Sequence, residues 1–346
     1  MKSPLVRSAF LIVPALLLAA CGGGGGGGGT AATTTTTTTA SQLVITDSNA
    51  QAVAAEVLET STNIDAAQIG TGIVTAVQVE TGGPSNAVLL AAVARDLLSK
   101  STGPALATGA TVTRNCQFGG TLVVTDTSAS ATVATAGDQF SVVATNCQDP
   151  LGNTGTQVLL NGTMTLTVQS GSFDSSSSTF PKNVTLRLVA TNFSVTQGGV
   201  KSTSNGDLTI GIAEPNANDS NLSLSSTSLS NTVEKSGVSH TITLKDYTHS
   251  VNVTSVQATV SITATVESNN VRFGSGVFNY QLSTLSPVVI TSSGYTAGGL
   301  KVAASHSGLQ LSVVPTNNFS LQVDTNGDGG FESTNSVSRA QLEALI

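Results

Sequence analysis

The chain has 346 residues and a formal net charge of −7 at pH 7, and only 10% of its residues are charged. Binding to nucleic acid phosphates needs clustered lysine and arginine, so this composition argues against nucleic acid as a partner. Abundant serine, threonine, glycine and valine are typical of extracytoplasmic β-proteins, because threonine and valine favour pleated surfaces.

Residues 1–20 have the pattern of a signal peptide. Lys2 and Arg7 make the start positive, and the apolar run AFLIVPALLLAA follows at 9–20. The run is about 12 residues long, whereas a membrane-spanning helix needs roughly 20. We therefore predict that residues 1–20 form a cleaved signal peptide.

The end of this run, LAAC from Leu18 to Cys21, resembles the lipobox of bacterial lipoproteins. In that family the cysteine thiol receives a diacylglycerol, the chain is cut before it, and the new amino terminus is usually acylated. The resemblance implies a lipid on Cys21 that anchors the chain to a membrane. Gly22 stands where aspartate often retains such proteins at the inner membrane, which implies the outer membrane, with the periplasmic or surface face left open. The alternative is an ordinary secretory signal followed by a free cysteine.

Residues 21–40 are predicted to be a linker. Eight glycines at 22–29 and seven threonines at 33–39 have no apolar period and bury too little surface to offset chain entropy. A glycine-rich coil of this length reaches about 25 Å. A phosphate-binding glycine loop would need a preceding strand and a lysine-serine or lysine-threonine pair, and neither is there.

Residues 41–110 are predicted to form a helical N-terminal segment. The stretch SNAQAVAAEVLET at 48–60 begins with Ser48, a favourable N-cap residue, and continues through helix formers. The stretch PSNAVLLAAVARDLLSK at 84–100 carries one apolar stripe and ends before Gly103-Pro104. We expect both helices to pack against a sheet.

Residues 111–346 alternate between apolar and polar side chains with period two, as in ATVSITATV at 258–266. Turn signals separate the runs: NG at 161–162 and 205–206, GG at 198–199 and 298–299, and SNN at 268–270. The pattern predicts a mainly β fold of roughly twelve strands. We expect a large curved antiparallel meander sheet, sandwich-like or open barrel-like, with two or three N-terminal helices packed on it.

From Cys116 onward the chain resembles uncharacterised β-rich lipoproteins of Gram-negative envelopes. The resemblance lies in the stretches NCQFGG…AGDQFSVVATNC, LNGTMTLTV and LQVDTNGDGGFES. It implies no particular activity.

Two cysteines, Cys116 and Cys147, remain once Cys21 is assigned to lipid. An even pair in an oxidising compartment predicts a disulfide. It would close a loop of about 32 residues and contribute roughly 3.5 kcal/mol in the chain-entropy account. The alternatives are two buried free thiols or a metal pair, although no CxxC spacing or nearby histidine favours a metal.

The three histidines, His240, His249 and His306, belong to no HExxH, GxSxG or SxxK motif. His240 is in phase with Val238 and Ile242, so we expect it to point inward as a hydrogen-bonded core or edge residue. We predict no catalytic residues and no enzymatic activity.

The one site-like motif is DTNGDG at 324–329. Asp324, Asn326 and Asp328 occupy positions 1, 3 and 5 of an EF-hand-like calcium loop, with glycine at position 6 and Glu332 at position 9. However, position 12 is Asn335 instead of the bidentate glutamate, and the preceding FSLQV alternates like a strand. Two interpretations stay open: a weak structural calcium site, or a hairpin turn that needs no metal. No other cofactor is predicted.

We therefore expect a lipoprotein held at the outer membrane by its lipid, with a β domain in a non-enzymatic structural or surface-interaction role. The alternative is a periplasmic carrier or chaperone that binds lipid or another apolar ligand on the aliphatic face of the sheet. An envelope partner is unidentified in either case, and an envelope hydrolase has no motif to support it.

Overall fold

The computed structural model describes residues 40–61, 86–101, 111–127, 133–151, 156–174, 180, 182–216, 218–315 and 317–345. The predicted signal peptide, Cys21, nearly all of the linker and Gly103-Pro104 lie outside the described residues.

Within the described residues, sixteen strands form one mainly antiparallel sheet that does not close on itself. The strands are β1 Ser41–Gln42, β2 Thr111–Asn115, β3 Thr121–Asp126, β4 Val133–Thr135, β5 Gln139–Leu151, β6 Thr156–Asp174, β7 Lys182–Gln197, β8 Val200–Glu214, β9 Ser220–Lys235, β10 Val238–Val253, β11 Ala258–Ser268, β12 Phe278–Thr291, β13 Gly294–Ala304, β14 Ser307–Val314, β15 Asn318–Asp324 and β16 Ser333–Ser338.

The strand order confirms the predicted meander. It runs β2-β3-β5-β6 and then consecutively to β16, while β4 pairs with β6 and β1 pairs in parallel with the start of β12. The count of twelve was too low. Strands as short as β1 and β4, with two and three residues, cannot display a period of two.

Three of the predicted turns are wrong. Gly162, Gly206 and Gly298 lie inside β6, β8 and β13, at points where the pairing register shifts, and all three have positive φ. Positive φ serves a β-bulge as well as a hairpin turn, so the dipeptide alone does not separate the two. The GG signal at 198–199 does form the β7–β8 turn, and SNN leads out of β11.

The helices are α1 Ala50–Ser61, α2 Asn86–Ser101 and α3 Arg339–Glu343. The first two match the predicted helices to within two residues. Ser48 is not the N-cap of α1, because the helix begins at Ala50 and the carbonyl of Asn49 accepts the bond from the Val53 amide. The third helix is C-terminal, and a capping box made by Ser338 begins it.

Helices α1 and α2 lie on the aliphatic face of the sheet. Helix α1 contacts β11, β14, β15 and α3, while α2 contacts β5, β8 and β9. In α1 every residue from Val53 to Ser61 is buried, and in α2 every residue from 87 to 94 is buried. Over these residues no side of either helix is exposed. Together the two helices contact six strands, so they cover much of the aliphatic face. None of the described helices is long and apolar enough to cross a membrane.

The connections of an antiparallel meander alternate between the two ends of the sheet. Those at 198–199, 236–237, 269–277, 305–306 and 325–332 therefore share one end, which we call the entry end. The chain enters the sheet at this end, because the Ser41 amide donates a hydrogen bond to the carbonyl of Val277, just before β12.

Candidate functional site

A cavity of about 370 Å³ opens at the entry end, between α1, the β9–β10 turn and a short 3-10 turn at Val271–Phe273. We call it the entry cavity. Glu56 and Glu59 of α1 and His240 of β10 supply polar groups to it, and its aliphatic lining includes Val233 and Val238. Residues three apart share one face of a helix, which is why both glutamates reach the same cavity.

Glu56 ties α1 to the sheet. Its Oε2 accepts hydrogen bonds from the Ser268 hydroxyl at 2.8 Å and the Asn270 amide at 3.0 Å, and its Oε1 accepts one from the Tyr280 hydroxyl at 2.8 Å. The residue is only 1% exposed. Burial raises the pKa of Glu56 even though these three donors favour its charged form. Burial, followed by the nearby Glu56 charge, also raises the pKa of Tyr280 well above its ordinary value.

Glu59 and His240 face each other without a hydrogen bond. Glu59 Oε2 lies 3.7 Å from His240 Nε2, which is beyond hydrogen-bonding distance. Among the described residues, His240 Nε2 has no hydrogen-bond partner. Burial lowers the pKa of His240, but the Glu59 carboxylate, with Glu56 behind it, raises that pKa overall. His240 thus points toward α1, as its phase in the strand indicated.

His249 is the second inward-facing histidine of β10, and it is 2% exposed. Its Nε2 lies 2.9 Å from the carbonyl oxygen of Ser61, the last residue of α1, so the ring is the donor. Burial lowers the pKa of His249 to about 4, and the bond to Ser61 only partly opposes this. His249 is therefore neutral at pH 7, whereas His306 lies exposed in the β13–β14 turn.

The sequence interpretation overlooked Glu56 and Glu59. Two acidic residues spaced by three on a helix made otherwise of alanine, valine and leucine were the available signal. Such acids on a helix buried from every side need partners from elsewhere in the fold.

The predicted disulfide is present. Cys116 Sγ and Cys147 Sγ are 1.98 Å apart, and the bond joins the segment after β2 to β5. Next to it, Asp149 accepts hydrogen bonds from the Arg114 guanidinium and the Gln117 amide. The two cysteines are therefore neither free thiols nor metal ligands.

The predicted calcium ligands come together at the entry end. Asp324, Asp328 and Glu332 can each place one carboxylate oxygen within 4.8 Å of the others. The same oxygens already accept hydrogen bonds inside the loop. Asp324 accepts from the amides of Gly327 and Gly329, and Glu332 accepts from Thr325 and from the Asn326 side chain. The loop thus holds its shape with its own donors, and calcium at this position stays a prediction.

The backbone amides also act on the charge of Asp324. Partial burial raises the pKa of Asp324, but the hydrogen bonds from Gly327, Gly329 and Asn326 outweigh it and lower that pKa overall. The carboxylate is therefore the form that the turn requires.

No protein family, no curated protein and no solved structure matches this chain. Its function must therefore be inferred from its own residues and their geometry.

His249 should make stability depend on pH. Its pKa is about 4 in the folded chain and 6.5 in the unfolded chain, so folding loses stability as the pH falls from 6.5 to about 4. This difference in pKa corresponds to roughly 3 kcal/mol in the free energy of unfolding. H249Q keeps a donor for the Ser61 carbonyl but does not titrate, so it should remove this loss in urea unfolding measured from pH 7 to pH 4.

His240 and Glu56 change the stability of the fold with pH in the opposite direction to His249. Their pKa values are raised in the folded chain, so their contributions to stability are greatest at low pH and fall as the pH rises. The quantity to compare is thus the difference in the free energy of unfolding between wild type and H249Q at each pH. H306Q, at an exposed histidine, is the control. If the free energy of unfolding depends on pH identically in wild type and H249Q, buried His249 is not the source of the loss at low pH.

Asp324 should stabilise the 325–332 loop without calcium. Since D324A removes the acceptor of three backbone amides, we expect it to lower the melting temperature by a few degrees in EDTA. D328N, which retains Asp324, is the matched comparison and should melt close to wild type in EDTA. If D324A and wild type melt together in EDTA and separate only on addition of calcium, the loop depends on the metal and not on its own hydrogen bonds.

Proposed function

We propose that this chain is a lipid-anchored protein of the outer membrane, with a β domain in a non-enzymatic structural or surface-interaction role. The observation that carries the anchor is LAAC at 18–21, directly after the apolar run. Cys21 carries the lipid, and residues 22–39 connect it to the sheet. Several acyl chains hold a protein at a bilayer, whereas one chain binds only reversibly.

The role of the β domain is supported by the way its two faces are used. Helices α1 and α2 lie buried on the aliphatic face. On the opposite face a shallow groove of about 330 Å³ crosses β7 to β11, and serine and threonine hydroxyls make up most of its lining. A groove lined by hydroxyl groups and by no aspartate, glutamate, lysine or arginine favours contact with a partner through hydrogen bonds.

The location outside the cytoplasm is supported by the disulfide. Disulfides persist in oxidising compartments such as the bacterial periplasm and cell surface.

The alternative, a carrier that holds an apolar ligand on the aliphatic face, receives less support. Such a ligand would compete for the surface against which α1 and α2 pack, and displacing a helix buried on all sides exposes its apolar residues to water. We therefore prefer the structural or surface-interaction role.

Replacement of Cys21 tests the anchor. Cells that express wild type, C21A or G23A are labelled with an alkyne analogue of palmitate and then separated into membrane and soluble fractions. We expect wild type and G23A to carry label and sediment with outer membranes. C21A should carry none and become soluble, because no other cysteine is available for acylation.

A labelled C21A, or an unlabelled wild type, would contradict the proposal. Protease added to intact and to lysed cells then determines the face. Cleavage in intact cells places the β domain on the surface, and cleavage only after lysis places it in the periplasm.

A further inference from the structure

Glu59 and His240 lie close enough together for one further polar atom to contact both of them. Glu59 is 6% exposed, and its Oε2 lies 3.7 Å from His240 Nε2. This separation lets a single hydroxyl oxygen lie at hydrogen-bonding distance from both atoms, at about 2.8 Å. The hydroxyl would accept the hydrogen of His240 Nε2 and donate its own to Glu59. Neither buried group is satisfied by the other, so a hydroxyl there would remove an energetic cost.

A water molecule would fill only a small part of this site. The entry cavity measures about 370 Å³, whereas one water occupies about 30 Å³ of liquid. Cavities of this size are typical of small-molecule sites, in which polar groups fix the orientation of the ligand. Glu59 and His240 are polar groups of this kind.

The mouth of the cavity includes two exposed aliphatic side chains beside polar ones. Val238 at the start of β10 is 59% exposed and Val271 in the 3-10 turn is 69% exposed, and both line the cavity. They offer an alkyl chain a surface from which water is displaced. The charged lining residues, Glu56 and Glu59 against Lys235, His240 and Arg272, carry both signs and thus favour an uncharged ligand.

We propose that the entry cavity binds a small uncharged amphiphile through a hydroxyl that contacts both His240 and Glu59 from the cavity side. Its alkyl chain lies against Val238 and Val271 at the mouth. The site does not require the lipid on Cys21, so it can be tested independently of the proposed anchor.

The test is titration calorimetry with 1-monooctanoylglycerol below its micellar concentration, on the full chain carrying C21A so that no detergent competes. We expect saturable binding with one site. Methyl octanoate has the chain without a hydroxyl, and glycerol has hydroxyls without a chain. Both should bind at least tenfold more weakly, because a hydrogen bond to a charged group contributes that much.

Two variants locate the site. H240F removes the donor and should weaken binding of 1-monooctanoylglycerol at least tenfold, whereas H306F replaces an exposed histidine at the same end and should leave it unchanged. V271E alters only the exposed mouth and should also weaken binding, and it keeps the test valid if H240F fails to fold.

Absence of binding by 1-monooctanoylglycerol would overturn the proposal. Equal binding of methyl octanoate, or unchanged affinity in V271E or in a folded H240F, would overturn it as well, since the hydroxyl contact and the mouth would then play no part. A Cys21 that proves unacylated in cells would contradict only the anchor, because every arm of this experiment uses C21A.

Discussion

An open sheet with one aliphatic face must bury that face, and the rest of this structure depends on how it does so. Strand β11 shows the problem, because from Ala258 to Val266 its inward side chains are only alanine, valine and isoleucine. Each square ångström of apolar surface removed from water contributes about 25 cal/mol. Helices α1 and α2 supply the matching surface, and since α1 is buried from Val53 to Ser61 it has no stable place outside the sheet.

Polar contacts decide where α1 lies on this otherwise uniform face. Aliphatic packing alone specifies position weakly, because many registers bury a similar area. Glu56 removes this freedom, since its carboxyl oxygens accept donors from β11, from the segment before the 3-10 turn and from β12. At the other end of the helix His249 holds the Ser61 carbonyl. Burying these groups is costly in any register that leaves them without partners.

The sheet was predictable from the sequence because its signal is local and repeated. Alternation over eight or more residues, as at 258–266, fixes both the strand and its buried side. The disulfide was predictable because only two cysteines remained to pair. The NG dipeptides at 161–162 and 205–206 misled because a glycine with positive φ serves bulges and turns alike.

The entry cavity was not predictable in the same way. The donors to Glu56 lie 212 to 224 residues away along the chain, and no period or spacing joins them to a helix at residue 50. Only the meander brings the β9–β10 turn, the 3-10 turn and α1 to the same end of the sheet. The available signal was a pair of acids on an apolar helix, which indicates buried partners without identifying them.

Hydrogen exchange at the backbone amides of α1 tests most directly whether this helix is an integral part of the core. If it is, its amides between Val57 and Ser61 exchange only when the whole domain unfolds, with the same free energy as those of β11. Exchange of these amides at a distinctly lower free energy would show that α1 leaves the sheet independently. The aliphatic face would then be accessible in the folded protein, which would contradict an aliphatic face permanently covered by its helices.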